Sequence, residues 1–106
     1  MPNGHDKNWI RLCAAIDGFR VRYGRWPKRV RVYPNSLADL RDHLFAPADY
    51  ARIVAKVSLV ADEAGMVAED DEGGSYDYGK EGFSNESPTP GAAEWLGVHP
   101  KGDEYS

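Results

Sequence analysis

The chain of 106 residues has a single cysteine, Cys13, and no long run of apolar residues. One thiol cannot build an intrachain disulfide framework, and a zinc site of the usual kind needs more cysteine ligands. The apolar stretches fall short of the ~18 residues that a membrane-spanning helix needs. The first residues, from Pro2 onward, lack the basic-then-apolar pattern of a secretory signal. We therefore expect a soluble, cytoplasmic protein that binds no cofactor and no membrane.

Motifs for nucleotide or metal chemistry are also missing. The sequence contains neither GxxxxGK[ST] nor GxGxxG, the glycine-rich patterns that cradle phosphates. The three histidines are His5, His43 and His99. Because they lack helical or hairpin spacing, each is interpreted as a solvated side chain, and no metal site is expected. A nucleophilic pair of Cys13 with His43, oriented by Asp39 or Asp42, is disfavoured because Cys13 falls on the apolar stripe of a helix.

The chain does have a strong separation of charge. Residues 1–60 carry eleven Lys and Arg against five Asp and Glu, a formal charge of +6. Residues 61–106 carry two against twelve, a formal charge of −10, so that the whole chain has a net charge of −4. Asymmetry of this kind indicates either a polar partner or an electrostatic contact between the two parts of the chain.

Hydrophobic periodicity predicts the first half of the fold. Apolar residues recur at helical spacing over residues 6–23, with Asp6 as the expected N-cap and Gly24 at the C-terminal end. Strict alternation over residues 29–33 predicts a half-buried strand. The pattern Ser36–Asp39 resembles a capping box, and Pro47 suits a first helical turn. Two short helices are therefore expected after the strand.

The second half is predicted to be strands, a turn and a tail. Residues 57–61 and 66–68 are short apolar segments typical of strands. Residues 69–72 form an acidic run without the spacing of a calcium loop, and we interpret it as a solvated hairpin turn before a returning strand at residues 75–78. The order of one long helix, a strand, two short helices and a small antiparallel meander or hairpin indicates the α+β class.

We expect one domain over residues 1–79 and an extended tail over residues 80–106 that is rich in Pro, Gly, Ser and Glu. Residues 84–91 resemble a linker, and the residues after His99 are expected to be disordered. Within the tail, residues 92–98 are apolar again. The candidate residues for docking onto the domain or for binding a partner are Trp95, Leu96 and Val98. Docking is favoured because an exposed apolar segment lowers solubility.

Residues 20–33 combine six basic with three aromatic side chains. The candidate partner-binding or anion-binding residues in this segment are Arg22, Arg25, Trp26, Lys28, Arg29, Arg31 and Tyr33. Arginine binds phosphate through two hydrogen bonds, and aromatic rings stack on bases, so the segment is typical of a nucleic-acid surface. Two other interpretations stay open. In the first, Arg29 and Arg31 lie on an edge strand, where their charge prevents pairing with another chain. In the second, they pair across the sheet with Glu69 or Asp77.

The leading functional hypothesis is a small, non-catalytic protein-interaction module whose partner is another protein or a second copy of the chain. It depends on the missing catalytic groups, the small size, the separation of charge and the apolar patch in the tail. The expected contacts are residues 20–33, Trp95, Leu96 and the acidic hairpin turn. A nucleic-acid-binding protein that uses residues 20–33 is the alternative, disfavoured by the net charge of −4. A second alternative is a small enzyme, or an accessory subunit of one, built around His43. No catalytic residue is assigned.

Overall fold

The protein combines one long helix with a four-stranded mixed sheet and several short helices. The computed structural model describes residues 4–63, 65–81 and 91–98. The elements in chain order are α1 (Gly4–Tyr23), β1 (Arg29–Val32), α2 (Pro34–Asp39), a π-helical turn (Leu40–Leu44), α3 (Pro47–Lys56), β2 (Ser58–Ala61), β3 (Val67–Glu69), β4 (Ser75–Asp77), α4 (Tyr78–Glu81) and α5 (Gly91–Leu96). The α+β class predicted from the sequence is confirmed.

The strands are arranged in the order β2-β1-β3-β4. β3 and β4 form the predicted antiparallel hairpin, and β3 also pairs antiparallel with β1. β2 differs from a meander because it pairs parallel with β1. The helices between β1 and β2 carry the chain back across the sheet, so β2 runs in the same direction as β1. β1 is an inner strand, and the interpretation of Arg29 and Arg31 as guards of a sheet edge is therefore wrong.

The core lies between α1 and one face of the sheet. Leu12, Ile16 and Phe19 project from the apolar stripe of α1 and are fully buried. Val30 and Val32 of β1 are equally buried, as expected for the inward positions of an alternating strand. Apolar burial of this kind is the main term that stabilises a small domain. The intervening β1 residues Arg29 and Arg31 therefore project from the opposite, outer face of the sheet.

Two helix starts differ from the predicted caps. α1 begins at Gly4, so that Asp6 lies within the first turn and not at the N-cap. α2 begins at Pro34, with Tyr33 as its N-cap and no side-chain cap. Pro34 starts this helix early because its fixed φ and missing N–H suit the first helical position. Ser36 is therefore inside α2, where its hydroxyl donates a hydrogen bond to Asn8 Oδ1 at 2.8 Å instead of forming a capping box.

The described part of the tail packs into the same core. Ala92, Leu96 and Val98 are at most 3% exposed. α5 lies against α1 and α3, and the N–H of Ala92 donates a hydrogen bond to Asp17 Oδ1 at 2.8 Å. Most of the linker expected at residues 84–91, and the residues after Val98, lie outside the described residues. In the part that is described, no helix has the length and apolar character needed to span a membrane.

Candidate functional site

The acidic hairpin turn binds Arg25, one of the candidate anion-binding residues. Arg25 Nε donates a hydrogen bond to Asp70 Oδ2 at 2.6 Å, and the side chain of Asp70 is only 2% exposed. The backbone N–H groups of Glu72 and Gly74 donate to the other carboxylate oxygen at 3.0 and 2.9 Å. The hydrogen bond from Arg25, with those two backbone bonds, outweighs desolvation and lowers the pKa of Asp70. The guanidinium of Arg25 is therefore occupied by a carboxylate of its own chain.

Arg29 and Arg31 share a second carboxylate on the outer face of the sheet. Glu69 is the antiparallel register partner of Arg29, and Glu69 Oε1 accepts hydrogen bonds from Arg29 Nε at 2.6 Å and Arg31 Nε at 3.0 Å. Arg29 also pairs with Asp71 at 2.8 Å, and Arg31 pairs with Asp62 at 3.0 Å. Because the positive charges are matched along the sheet, a phosphate group would have to displace carboxylates to bind here.

Trp26 and Trp95 stack face to face. Their ring centroids are 4.4 Å apart and their planes differ by 2°. The guanidinium of Arg20 lies 5.1 Å from the ring of Trp26, and the Lys56 ammonium lies 5.9 Å from the ring of Trp95 on α5. Lys56 Nζ also donates a hydrogen bond to the backbone oxygen of Trp95. The stack fastens α5 to the turn after α1 and to the end of α3 through ring packing and cation–π contacts.

The remaining candidate residues are dispersed. Arg22 donates to the Ser75 backbone oxygen at 3.3 Å, and its guanidinium lies 4.9 Å from the ring of Tyr76. The side chains of Lys28 and Tyr33 are exposed. Leu96 and Val98 are buried in the core and offer no surface to a partner. The structure therefore splits the ten candidate residues between internal ion pairs, core packing and separate exposed positions.

Cys13 lacks the features of an activated nucleophile. Burial, followed by the nearby Asp17 carboxylate, raises the pKa of its thiol above the ordinary value. A nucleophilic cysteine needs the opposite shift, because the thiolate is the reactive form. His43 lies exposed in the π-helical turn. Within the described ranges, no group of three His, Cys, Asp or Glu side chains is arranged to hold a metal ion.

A surface that sequence reasoning missed lies at the outer edge of β2. The N–H groups of Ser58 and Asp62 donate to the β1 carbonyls of Lys28 and Val32, at 3.0 and 2.8 Å. Because backbone groups alternate in direction along a strand, the N–H and C=O groups of Leu59 and Ala61 point away from β1. Among residues 4–63, 65–81 and 91–98, no strand pairs with that side of β2. Within these ranges, β2 is therefore an edge strand whose outer hydrogen-bonding side is not paired with another strand.

The two edge strands of the sheet, β4 and β2, differ in how their outer sides are protected from further strand pairing. At the β4 edge, the Tyr23 hydroxyl donates to the backbone oxygen of Ser75 at 3.0 Å and accepts from its N–H at 3.0 Å. β2 consists of Ser58, Leu59, Val60 and Ala61, which carry no charge, and the side chain of Val60 is 43% exposed. Natural proteins commonly protect such edges with charge, proline or a covering element. In the part of the chain that the structure describes, the β2 edge lacks charge and proline, Ser58, Val60 and Ala61 are exposed, and Leu59 is half-buried.

The sequence contained one signal for this edge. Helical segments lie between the strand at residues 29–33 and the strand at residues 57–61, and strand–helix–strand order favours a parallel crossover. The place of β2 at the end of the sheet depends on the hairpin occupying the other side of β1, which periodicity does not reveal.

No protein-family model, curated protein or solved structure matches the chain. The case for function therefore rests on the geometry of these surfaces.

Proposed function

We propose that the protein is a non-catalytic protein-interaction module that binds an extended segment of its partner along the free edge of β2. The observation that carries this proposal is the pair of outward backbone positions, Leu59 and Ala61, on a strand without charge. An added strand gains affinity from main-chain hydrogen bonds and specificity from the alternating side chains. The cytoplasmic location expected from the low cysteine content belongs to the same proposal.

The ion pairs of the basic segment support this choice over nucleic-acid binding. Arg25, Arg29 and Arg31 each contact at least one carboxylate of the region between Asp62 and Glu72. Phosphate contacts supply most of the non-specific affinity for nucleic acid and require available positive charge. At the outer edge of β2, by contrast, no other strand of the described residues has to be displaced before a partner strand binds.

A proline at position 61 tests the proposal. The N–H of Ala61 points to the free edge, so Ala61→Pro removes an edge donor without removing a hydrogen bond to β1. Ala61→Thr is the matched control, because threonine keeps the N–H and favours strands. Extended peptides selected from a displayed library for binding to the native protein are then titrated against both variants.

We expect Ala61→Pro to weaken peptide binding at least about tenfold, since one lost hydrogen bond and a ring in the path of the added strand cost about 1.4 kcal/mol together. Ala61→Thr should bind as the native protein does. Circular dichroism and the urea midpoint confirm that both variants are folded. Equal affinity of both variants, or failure to select any peptide that binds, would contradict the proposal.

A further inference from the structure

We infer that the strand added to β2 is the β2 strand of a second copy of the chain, paired antiparallel about a two-fold axis at Val60. This inference rests on the proposed function. When the same edge of two copies pairs, the two-fold axis that relates the copies is perpendicular to the sheet. Residues on the same face of the two sheets therefore lie opposite one another. Centring the pair on Val60 places Leu59 opposite Ala61 of the second copy. Their outward N–H and C=O groups then satisfy each other on both sides of the axis.

Val60 explains why the axis lies at this residue. It is the register partner of Arg31 and lies on the outer face of the sheet, where it is 43% exposed. In the proposed pair, Val60 opposes Val60 of the second copy at a position without hydrogen bonds, where opposite Cα atoms come within about 4.5 Å. Burying two β-branched side chains against each other is favourable in a sheet. The exposed valine becomes the centre of the contact.

The charges beside β2 favour antiparallel over parallel pairing with a second copy. Lys56, which also contacts Trp95, precedes the strand, whereas Asp62, which pairs with Arg31, and the exposed Glu63 follow it. Antiparallel pairing brings the basic end of each copy next to the acidic end of the other, and this happens twice because of the two-fold symmetry. Parallel pairing would bring like charges together, which is unfavourable for directly opposed residues. A second copy therefore supplies both the uncharged strand and the complementary ends.

The pairing joins two four-stranded sheets into one continuous sheet. The strand contributes only residues 58–61 to the contact, so the buried area falls below the roughly 800 Å² per partner of a standard stable interface. The dimer is therefore expected to dissociate on dilution.

The test combines sedimentation over a range of protein concentrations with cysteine cross-linking. The native protein should shift from monomer to dimer as its concentration rises, Ala61→Thr should behave alike, and Ala61→Pro should stay monomeric. Val60→Cys, oxidised with glutathione disulfide, should give a covalent dimer. Val21→Cys is the control, because Val21 is 56% exposed on α1, away from β2. Cys13 is partly buried in α1 and its raised thiol pKa disfavours the reactive thiolate, so we expect it to compete poorly.

The outcomes separate this inference from the proposed function. A protein that stays monomeric at every concentration, yet binds extended peptides in a manner blocked by Ala61→Pro, overturns the inference and leaves the proposed function standing. A dimer that persists in Ala61→Pro uses another surface and also overturns it. Equal cross-linking of Val60→Cys and Val21→Cys overturns the pairing at Val60. A concentration-dependent dimer that is lost in Ala61→Pro and preferentially cross-linked in Val60→Cys supports it.

Discussion

Single carboxylates determine where the positive charge of this protein is neutralised. Glu69 accepts hydrogen bonds from two arginines, and Asp70 accepts one from Arg25 and two from the turn backbone. The sequence predicted a possible pairing of Arg29 and Arg31 with Glu69, because alternate positions of neighbouring strands share a face. It did not predict the place of Arg25, since the turn geometry around Asp70 depends on long-range packing.

These carboxylates make stability depend on pH. Burial would raise the pKa of Glu69, but hydrogen bonds from Arg29 and Arg31 lower it overall, and the pKa of Asp70 is lowered too. A lowered pKa in the folded state gives a stabilisation that is complete well above the unfolded carboxyl value of about 4 and is lost as the pH falls through the folded value. We expect the urea midpoint to fall over this acidic range.

Glu69→Gln isolates the contribution of Glu69. This variant should be less stable than the native protein at neutral pH and should lose less stability on acidification, whereas Glu63→Gln, at an exposed position, should follow the native curve. The comparison between variants is needed because burial raises the pKa of Asp17, which acts in the opposite direction. Identical pH profiles for Glu69→Gln and the native protein would refute this assignment.

At the scale of elements, the parallel pairing of β2 was not expected, whereas the docking of α5 agrees with the expectation for residues 92–98. The local sequence pattern was sufficient for α1 through helical periodicity, for β1 through strand alternation and for the β3–β4 hairpin through apolar segments and turn chemistry. It identified the strand at β2 but not its neighbour. The apolar character of residues 92–98 favoured docking but did not identify the contact, since the ring that stacks on Trp95 belongs to Trp26, far away in sequence.

Truncation of Leu96 tests the docking of α5. Leu96 is 1% exposed, so Leu96→Ala leaves a cavity and should cost about 2–5 kcal/mol in the free energy of unfolding. Glu94→Ala, at an exposed position of the same helix, should change it by no more than about 0.5 kcal/mol. Urea denaturation of both variants provides the measurement. Equal small effects would mean that α5 contributes nothing to the core.

At the scale of the molecule, folding brings part of the basic segment next to part of the acidic segment, so that their opposite charges are partly neutralised. The basic strand β1 and the acidic end of β3 are neighbours in one sheet, and their charges meet on its outer face. What the fold leaves available is a different feature, the uncharged edge of β2. We therefore propose that the protein binds its partner through a strand edge and not through the segment with the highest density of charge.

Amide hydrogen exchange measured by NMR at increasing protein concentration directly tests whether the outer edge of β2 pairs with an added strand. In dilute protein, the Ser58 and Val60 amides should be protected by β1, while those of Leu59 and Ala61 should exchange rapidly. At high concentration, or with an extended peptide selected for binding, the Leu59 and Ala61 amides should become protected as the added strand forms. Rapid exchange of both amides in the bound state, or strong protection of both in dilute protein, would show that β2 does not bind a partner strand through this edge.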